Sequence, residues 1–290
     1  LSNEPTAQAS GLSATPTSST NINLGWTAAT FAGSGATASG YVLLRATNPN
    51  TPSLGNGDGA APTAGANTTI ISSSIGSGAT STSDATASAA TTYNYLLVPY
   101  SWDGTNAATY NYLTTAAPTA SATTLAAAPL NSPTVITFSA VTASTITTGW
   151  TAATGSPAAA GYIVVRGAGV TPNTDPVPGT TYTAGNTLGN ATVAFVGAGT
   201  STGAQTGLND ATTYNYKIYS YSGSGASINY KLTSPLTGSQ ATSNIGAPTA
   251  TAAPVITSLK KGKVEFVTFS FLLNNIIIAL LIPFMLSLVI

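Results

Sequence analysis

Gly25-Trp26-Thr27-Ala28-Ala29-Thr30 occurs a second time, letter for letter, at residues 149–154. A second stretch, Ala90-Thr91-Thr92-Tyr93-Asn94-Tyr95, recurs at residues 211–216. The offsets are 124 and 121 residues, so the chain of 290 residues contains two copies of one unit. Because the unit is about 120 residues long, it has the size of a domain and is much longer than a solenoid repeat.

Apolar residues in each copy follow the two-residue period of β-strands. Ile22, Leu24 and Trp26 alternate with polar or small residues, as do Ile146 and Trp150 in the second copy. The spacers between such runs are rich in Gly, Ser, Thr, Pro and Asn, which favour turns. No apolar period of 3.6 residues is found before residue 259. The pattern predicts an all-β chain with two tandem β-sandwiches.

The order of motifs in each copy resembles the fibronectin type III module. A Trp on an early strand is followed by a strand that begins with Tyr, and then by a Leu-x-x-x-Thr-x-Tyr-x-Tyr corner. The second copy carries this corner as Leu208, Thr212, Tyr214 and Tyr216. The first copy has Ala87 in place of Leu208, so its corner is expected to be under-packed or differently built.

This resemblance covers roughly residues 5–124 and 131–243. The two copies are similar to modules found in tandem on secreted bacterial surface proteins. It implies an immunoglobulin-like sandwich fold but no single activity, since such modules serve as spacers, adhesins and fibre units. The expected core residues of the two copies are Trp26, Tyr41, Tyr93, Trp150, Tyr162, Leu208 and Tyr214.

The predicted organisation has five parts. They are a sandwich at residues 1–124, a linker at 125–130, a sandwich at 131–243, a linker at 244–263 and an apolar segment at 264–290. The second linker contains a stray opening strand, because residues 254–259 parallel residues 133–138. The chain begins at Leu1 rather than Met and shows no N-terminal signal peptide, as expected for a processed mature protein.

Charge is scarce throughout the chain. Seven Lys and Arg and seven Asp and Glu make up 5% of the residues, against about 25% in an average soluble domain. Without His or Cys there is no Ser-His-Asp arrangement, no disulfide and no common zinc site. The few carboxylates are expected to be solvated turn residues. We therefore expect no catalysis, no cofactor, no metal and no nucleic-acid partner.

The apolar tail leaves three interpretations open. Residues 266–290 carry no charge and follow Lys260, Lys261 and Lys263. The tail could form a transmembrane helix, a strand inserted into a neighbouring subunit, or a hairpin of residues 264–273 and 276–282 on the second sandwich. Residues expected to contact another subunit are Trp102, Val255, Ile256, Phe266, Phe269 and Phe271.

Four further residues occupy equivalent positions in the two copies. Asn67 and Asn190 begin Asn-x-Thr sequons, 41 and 40 residues after the repeated Trp, and are expected to carry glycans. Arg45 and Arg166, the two arginines of the chain, are expected to play structural roles. By contrast, Trp102 has a glycine as its counterpart, which favours an exposed contact residue.

These observations predict a structural subunit of an extracellular filament. It would polymerise head to tail with copies of itself, bury its C-terminal segment in a neighbouring subunit and carry glycans among its 83 Ser and Thr residues. The alternative is a membrane-anchored adhesin, or a spacer or binding region of a secreted carbohydrate-active protein.

Overall fold

A computed structural model describes residues 1–31 and 38–246 with their side chains, and the backbone of residues 265–273 and 276–284. Every extended element is a β-strand, and the described helical segments are two single 3₁₀ turns, Ala107–Thr109 and Gly225–Ser227. The fold is all-β, with two tandem β-sandwiches followed by a separate pair of strands.

The first sandwich, called module 1, contains eight strands in two sheets. One sheet has the order β1-β2-β5, and the other has the order β4-β3-β6, with β7 and β8 both pairing with β6. The strands are β1 (Ser10–Pro16), β2 (Ile22–Thr27), β3 (Gly40–Thr47), β4 (Thr68–Gly76), β5 (Ser81–Asp84), β6 (Thr92–Ser101), β7 (Asn111–Tyr112) and β8 (Thr119–Thr123).

The second sandwich, module 2, repeats this topology. Its sheets have the orders β9-β10-β14 and β12-β13-β11-β15, with β16 and β17 both pairing with β15. The strands are β9 (Thr134–Ser139), β10 (Ile146–Thr151), β11 (Gly161–Ala168), β12 (Thr187–Leu188), β13 (Ala191–Gly197), β14 (Ser201–Gln205), β15 (Thr213–Ser222), β16 (Asn229–Tyr230) and β17 (Leu236–Ala241).

Each module buries its main core between its two sheets. In both modules the Trp and Tyr of the early strands meet edge to face, with ring centroids 5.5 Å apart, a favoured aromatic geometry. The residues expected in the core lie in these two clusters, each with no more than 6% of its surface exposed: Trp26, Tyr41, Tyr93, Trp150, Tyr162, Leu208 and Tyr214.

The tyrosine corner has the same geometry in both modules. The backbone N–H of Ser88 donates to the Tyr93 hydroxyl at 2.9 Å, and that of Asn209 donates to the Tyr214 hydroxyl at 2.8 Å. Ala87 is as well buried as Leu208. The first corner is therefore not differently built, because a backbone hydrogen bond rather than the leucine side chain defines the corner, while under-packing at Ala87 stays a prediction.

A second apolar cluster covers the outer face of the larger sheet in each module. In module 1, Val42, Leu44 and Val98 belong to it, and the loop between β3 and β4 lies across them with Leu54 packed in. The Tyr112 hydroxyl donates to the Ala60 carbonyl of this loop at 2.8 Å. Both faces of the larger sheet are therefore buried, which explains why β3 is apolar without alternation.

Module 2 covers its outer face in the same way. Tyr182, in the loop between β11 and β12, packs against Tyr230, with ring centroids 6.1 Å apart. The Tyr230 hydroxyl donates to the Thr180 carbonyl of the same loop at 2.8 Å. The loop across the outer face is thus a shared feature of the two modules.

A strained residue lies on the edge strand β9. Val135 has φ of 51°, and the register with β10 shifts by one residue at this point, so Val135 occupies a β-bulge. Module 1 has the same bulge with Gly11 at φ of 64°. This left-handed position favours glycine, and a β-branched residue there is strained. The valine side chain is 64% exposed.

The apolar tail forms an antiparallel pair, β18 (Glu265–Leu273) and β19 (Ile276–Phe284), in continuous register from Glu265 opposite Phe284 to Leu273 opposite Ile276. The backbone agrees with the hairpin interpretation and contradicts the transmembrane helix. Among the described residues, no helix has the length and hydrophobicity needed to cross a membrane. The expected turn at residues 274–275 and the stray strand at 254–259 lie outside the described residues.

Candidate functional site: the junction between the modules

The junction is formed by residues 125–131, and its first residue is bonded to module 1. The backbone N–H of Leu125 donates to the Ser18 carbonyl at 3.3 Å, and the N–H of Ala90 donates to the Leu125 carbonyl at 3.0 Å. Leu125 is only 6% exposed. Its Cδ2 lies 3.6 Å from where a Cβ on Gly179 of module 2 would be, so this residue contacts both modules.

The next two residues are bonded to module 2. The backbone N–H of Ala126 donates to the Ser227 carbonyl at 2.7 Å, and Asn229 Nδ2 donates to the Ala126 carbonyl at 2.8 Å. The Ser222 hydroxyl donates to the Ala127 carbonyl. These bonds fix the backbone directly after Leu125.

The end of the junction is also held by module 2. The backbone N–H of Leu130 donates to the Pro157 carbonyl at 2.9 Å, and the Ser220 hydroxyl donates to the Asn131 carbonyl at 2.8 Å. Asn131 Nδ2 donates to the Thr154 carbonyl at 3.0 Å. From Leu125 to Asn131, hydrogen bonds therefore tie the chain to folded structure at both ends of the segment.

The same contacts recur where the chain enters module 1. The backbone N–H of Ser2 donates to the Thr109 carbonyl, and Asn111 Nδ2 donates to the Ser2 carbonyl, both at 2.8 Å. These bonds match those of Ala126 with Ser227 and Asn229. The entry geometry is thus part of the module itself, and Asn111 is the natural control for Asn229.

A groove of about 430 Å³ lies beside the junction in module 2. It is mostly apolar, and its lining residues are Ala128, Pro129, Leu130, Pro157, Tyr230, Lys231, Leu232 and Thr233. At the corresponding place in module 1, Gln8 Nε2 donates to the carbonyls of Leu113 and Thr115 at 2.6 and 2.9 Å. In module 2 the shorter Ser132 reaches the Thr233 carbonyl at 3.3 Å.

A buried ion pair connects the two sheets of module 1. Arg45 Nη1 lies 2.7 Å from Asp84 Oδ2, and the two side chains are 12% and 0% exposed. The Tyr95 hydroxyl donates to the same carboxylate oxygen at 2.8 Å. The backbone N–H and the hydroxyl of Thr86 donate to the other oxygen at 2.9 and 2.8 Å. The expectation that Asp84 is a solvated turn residue was wrong, because four donors bind its buried carboxylate.

These donors set the ionisation of Asp84. Burial alone would raise the pKa of the carboxyl, but the hydrogen bonds from Thr86, Tyr95 and Arg45 outweigh it, so the pKa lies below its ordinary value of 3.8. Burial and the bond to Asp84 raise the pKa of Tyr95 far above its usual range. Asp84 is therefore ionised and Tyr95 is neutral at neutral pH.

Module 2 builds the same connection without a carboxylate. Arg166 Nη1 donates to Gln205 Oε1 at 2.7 Å, and Gln205 Nε2 donates to the hydroxyls of Thr148 and Thr202 at 3.1 and 3.2 Å. Both arginines thus have the structural role expected from the sequence, with a charged partner in module 1 and a neutral one in module 2.

Trp102 is partly exposed and makes its contacts within module 1. Its ring stacks on Tyr110, with centroids 4.9 Å apart, and Tyr110 stacks on Tyr112 at 5.7 Å. The indole N–H donates to the Asn106 carbonyl at 3.0 Å. Trp102 therefore extends the aromatic cluster on the outer face of its own module, and its contact with another subunit stays a prediction.

Asn67 lies directly before β4 and Asn190 directly before β13, which are the strands that pair with β3 and β11, and both residues are exposed. The side chain of Asn190 is engaged in the turn: Nδ2 donates to the Thr171 carbonyl and Oδ1 accepts from the Asn173 N–H, both at 3.0 Å. Glycosylation of either residue stays a prediction.

Three further carboxylates, those of Asp58, Asp103 and Asp175, accept hydrogen bonds from nearby donors. Asp58 accepts from the backbone N–H of Tyr112 at 2.8 Å. Asp103 accepts from the N–H groups of Thr105 and Asn106, which lower its pKa. Asp175 accepts from the buried Tyr219 hydroxyl. In the described part of the chain, no three acidic side chains are grouped so that they could hold a metal ion.

The remaining candidate contact residues are in the second linker and in the tail. Val255 and Ile256 lie outside the described residues, and Phe266, Phe269 and Phe271 lie on β18, of which the backbone is described. The sequence predicted a linker at residues 125–130 but did not predict that its backbone is bonded to both modules. The available signal was the recurrence of Asn111-Tyr112 as Asn229-Tyr230, because the two asparagine side chains donate to the carbonyls of Ser2 and Ala126.

The chain was compared with protein families, curated proteins and solved structures. No family model matches the chain, and no curated protein matches it. Similar solved structures include the FN1–FN3 domains of chicken CNTN1, with 12% identity over 84% of this chain and 67% of that one, at a TM-score of 0.39. Another is a two-domain fibronectin type III segment of chicken tenascin, with 19% identity over 83% of this chain and 100% of that one, at a TM-score of 0.30.

A third is the central fibronectin-III array of RIM-binding protein, with 12% identity over 93% of this chain and 80% of that one, at a TM-score of 0.26. The strand order of the two modules by itself establishes two β-sandwiches in tandem.

Proposed function

We propose that this chain is a structural subunit of an extracellular filament, in which the junction holds the two modules at a fixed angle. The observation that carries the proposal is the bonding of residues 125–131 to the modules on either side. Flexible linkers are solvated and lack such bonds. Because the carbonyl and N–H of Leu125 bind module 1 while Ala126 binds module 2, no unbonded residue separates the two attachments.

Self-association fits the scarcity of charge. With seven basic and seven acidic residues in 290, copies of the chain repel one another little. Both modules contain their own first strands, β1 and β9, so neither sandwich has a vacancy for a donated strand to fill. We therefore propose that the tail joins copies through its own strand pair rather than by completing a neighbour's module.

The junction is tested by measuring the distance between the modules. Since the chain has no Cys, spin labels can be attached through Ser83→Cys in module 1 and Ser239→Cys in module 2, two exposed positions. Pulsed dipolar spectroscopy should give one narrow distance distribution. Asn229→Ala combined with Ala126→Pro should broaden it, because the bonds of Ala126 to module 2 are lost. The matched change Asn111→Ala, at the entry to module 1, should leave it unchanged.

A broad distribution in the unmodified chain, as wide as that of the double variant, would refute the fixed junction. An unchanged distribution in the double variant would show that these bonds do not set the angle.

The groove beside the junction favours a second candidate, a binding module of a surface adhesin or a secreted carbohydrate-active protein. Leu130, 51% exposed, and Tyr230 line it. Titration of the ¹⁵N-labelled chain with oligosaccharides should shift the amides of Lys231 and Leu232 if the groove is used. No shift at these amides with any oligosaccharide tested would remove this candidate.

A further inference from the structure

The groove beside the junction has a counterpart in module 1 that is occupied by a side chain. Gln8 of module 1 and Ser132 of module 2 are 124 residues apart, as are the repeated tryptophans. Gln8 Nε2 donates to the Leu113 carbonyl at 2.6 Å and to the Thr115 carbonyl at 2.9 Å. In module 1 the position that corresponds to the groove is therefore taken by a carboxamide group.

The shorter side chain of Ser132 leaves a backbone acceptor open in module 2. Lys231 and Thr233 correspond to Leu113 and Thr115, since the members of each equivalent pair are 118 residues apart. The Ser132 hydroxyl donates to the Thr233 carbonyl at 3.3 Å. Among the residues that the structure describes, none donates to the Lys231 carbonyl. The groove therefore offers one backbone acceptor to a ligand that carries an N–H or O–H group.

The walls of the groove are more apolar than the corresponding residues of module 1. Leu130 lies where module 1 has Thr6, and Leu232 lies where module 1 has Thr114. Leu130 is 51% exposed, so a ligand in the groove would cover apolar surface. A group that combines an N–H with a methyl therefore matches the groove in polarity.

The size and the aromatic residue of the groove further define the ligand. A volume of about 430 Å³ lies in the range of sites for small molecules, about 300–1,000 Å³. Tyr230 is 3% exposed and packs against Tyr182 and Tyr221, so its ring offers no open face on which a sugar could stack. A small ligand in this groove is therefore held by a polar and an apolar contact rather than by aromatic stacking.

We propose that the groove binds the acetamido group of an N-acetylated sugar. The acetamido N–H donates to the Lys231 carbonyl, as the carboxamide of Gln8 donates to the Leu113 carbonyl in module 1. The acetamido methyl packs against Leu130 and Leu232. This inference rests on the second candidate function, a binding module, and names the class of its ligand.

Two sugars that differ in this one group test the inference on the full-length ¹⁵N-labelled chain. Tri-N-acetylchitotriose and cellotriose have the same ring and the same linkage, but the first carries acetamido groups where the second carries hydroxyls. Tri-N-acetylchitotriose should shift the amides of Lys231 and Leu232. Its dissociation constant should be lower than that of cellotriose by about tenfold, the effect of one hydrogen bond and one buried methyl group.

The repeat supplies a variant that closes the groove. Ser132→Gln introduces the glutamine of module 1 at the equivalent position, where its carboxamide can reach the carbonyls of Lys231 and Thr233. The amide of Leu232 should shift without any ligand, and the dissociation constant for tri-N-acetylchitotriose should rise about tenfold. Ser139→Gln makes the same change at an exposed position at the far end of β9, and it should leave this constant unchanged.

Equal binding of the two sugars would refute the role of the acetamido group while keeping a sugar-binding module. Absence of shifts with both sugars would overturn the inference, and shifts with another oligosaccharide would then keep the second candidate function alone. An unchanged affinity in Ser132→Gln would also overturn it, because the sugar would bind elsewhere. Tighter binding of a tripeptide with a central glutamine would overturn it in favour of a side chain from a partner protein. The distance between the modules reports on the filament junction separately.

Discussion

Replacing Asp84 by alanine should destabilise module 1 strongly and leave module 2 unchanged. The carboxylate is fully buried and accepts from Arg45, Tyr95 and Thr86. Its removal leaves a guanidinium group that is 12% exposed without its charged partner. Removing one member of a buried ion pair typically costs about 3–5 kcal/mol. For Asp84→Ala we expect a loss in this range, which is a large share of the stability of a single domain.

Native-state hydrogen exchange measures the free energy of unfolding for each module within one chain. Amides in β3 report on module 1, and those in β11 report on module 2. Because 1.4 kcal/mol corresponds to a factor of ten, protection in β3 should fall by roughly two to three and a half orders of magnitude in Asp84→Ala. Protection in β11 should not change.

Asp84→Gln is the matched control, because it introduces the residue that partners Arg166 in module 2. A glutamine can accept from Arg45 without a charge, so we expect this variant to retain most of the stability that Asp84→Ala loses. If Asp84→Gln is as unstable as Asp84→Ala, the charge itself rather than the hydrogen bond holds the sheets together.

At acid pH, module 1 of the unmodified chain should unfold before module 2. The pKa of Asp84 lies below its ordinary value of 3.8, so the ionised form is favoured in the folded state. Its contribution is therefore complete well above pH 3.8 and is lost as the pH falls below that value. Module 1 should lose protection against hydrogen exchange below about pH 4 before module 2 does, and Asp84→Gln should remove this difference.

A loss of less than about 1 kcal/mol in the unfolding free energy of module 1 for Asp84→Ala, as for an exposed ion pair, would refute the argument that the buried pair stabilises this module.

Two further predictions concern other residues. Val135→Gly should stabilise module 2 by about 1 kcal/mol in thermal unfolding, because it removes a β-branched residue from a left-handed backbone conformation. The reverse change Gly11→Val should destabilise module 1. Destabilisation by Val135→Gly would show that the exposed valine makes a stabilising contact. Burial raises the pKa of Tyr100 to about 12. In a spectrophotometric titration this tyrosine should therefore ionise well above the ordinary pKa of 10.0 in the folded chain and near that value in denaturant. Coincidence of the folded and denatured titration curves would contradict its burial.

The sequence was sufficient to predict the fold because the repeat aligns residues that have the same environment. Trp26 and Trp150 share an alternating pattern, and both are 6% exposed. The strand pair of the tail was one of three alternatives. An apolar run of this length is compatible with a helix or with a hairpin, and hydrophobicity alone does not distinguish them.

The buried ion pair and the covered outer faces were not predicted. Asp84 is followed by Ala and Thr and looks like a turn residue, because its partner Arg45 lies 39 residues away. A signal was nevertheless present, since Arg166 and Gln205 recur at the same spacing. The continuous apolar run at residues 41–44 also indicates a strand buried on both faces, but only tertiary structure shows that a loop provides the second cover.

The contacts of Leu125 limit where residues can be inserted into the chain. It is bonded as the last residue of module 1 and packed as the first of module 2, so a residue inserted beside it would shift one set of bonds out of reach. The loops carry no such constraint. The difference in number between equivalent residues of the two copies is 124 at Trp26 and Trp150, 121 at Tyr93 and Tyr214, and 118 at Asn111 and Asn229. The length differences between the two copies therefore lie in loops, whereas the bonds of the junction fix the point at which module 2 begins.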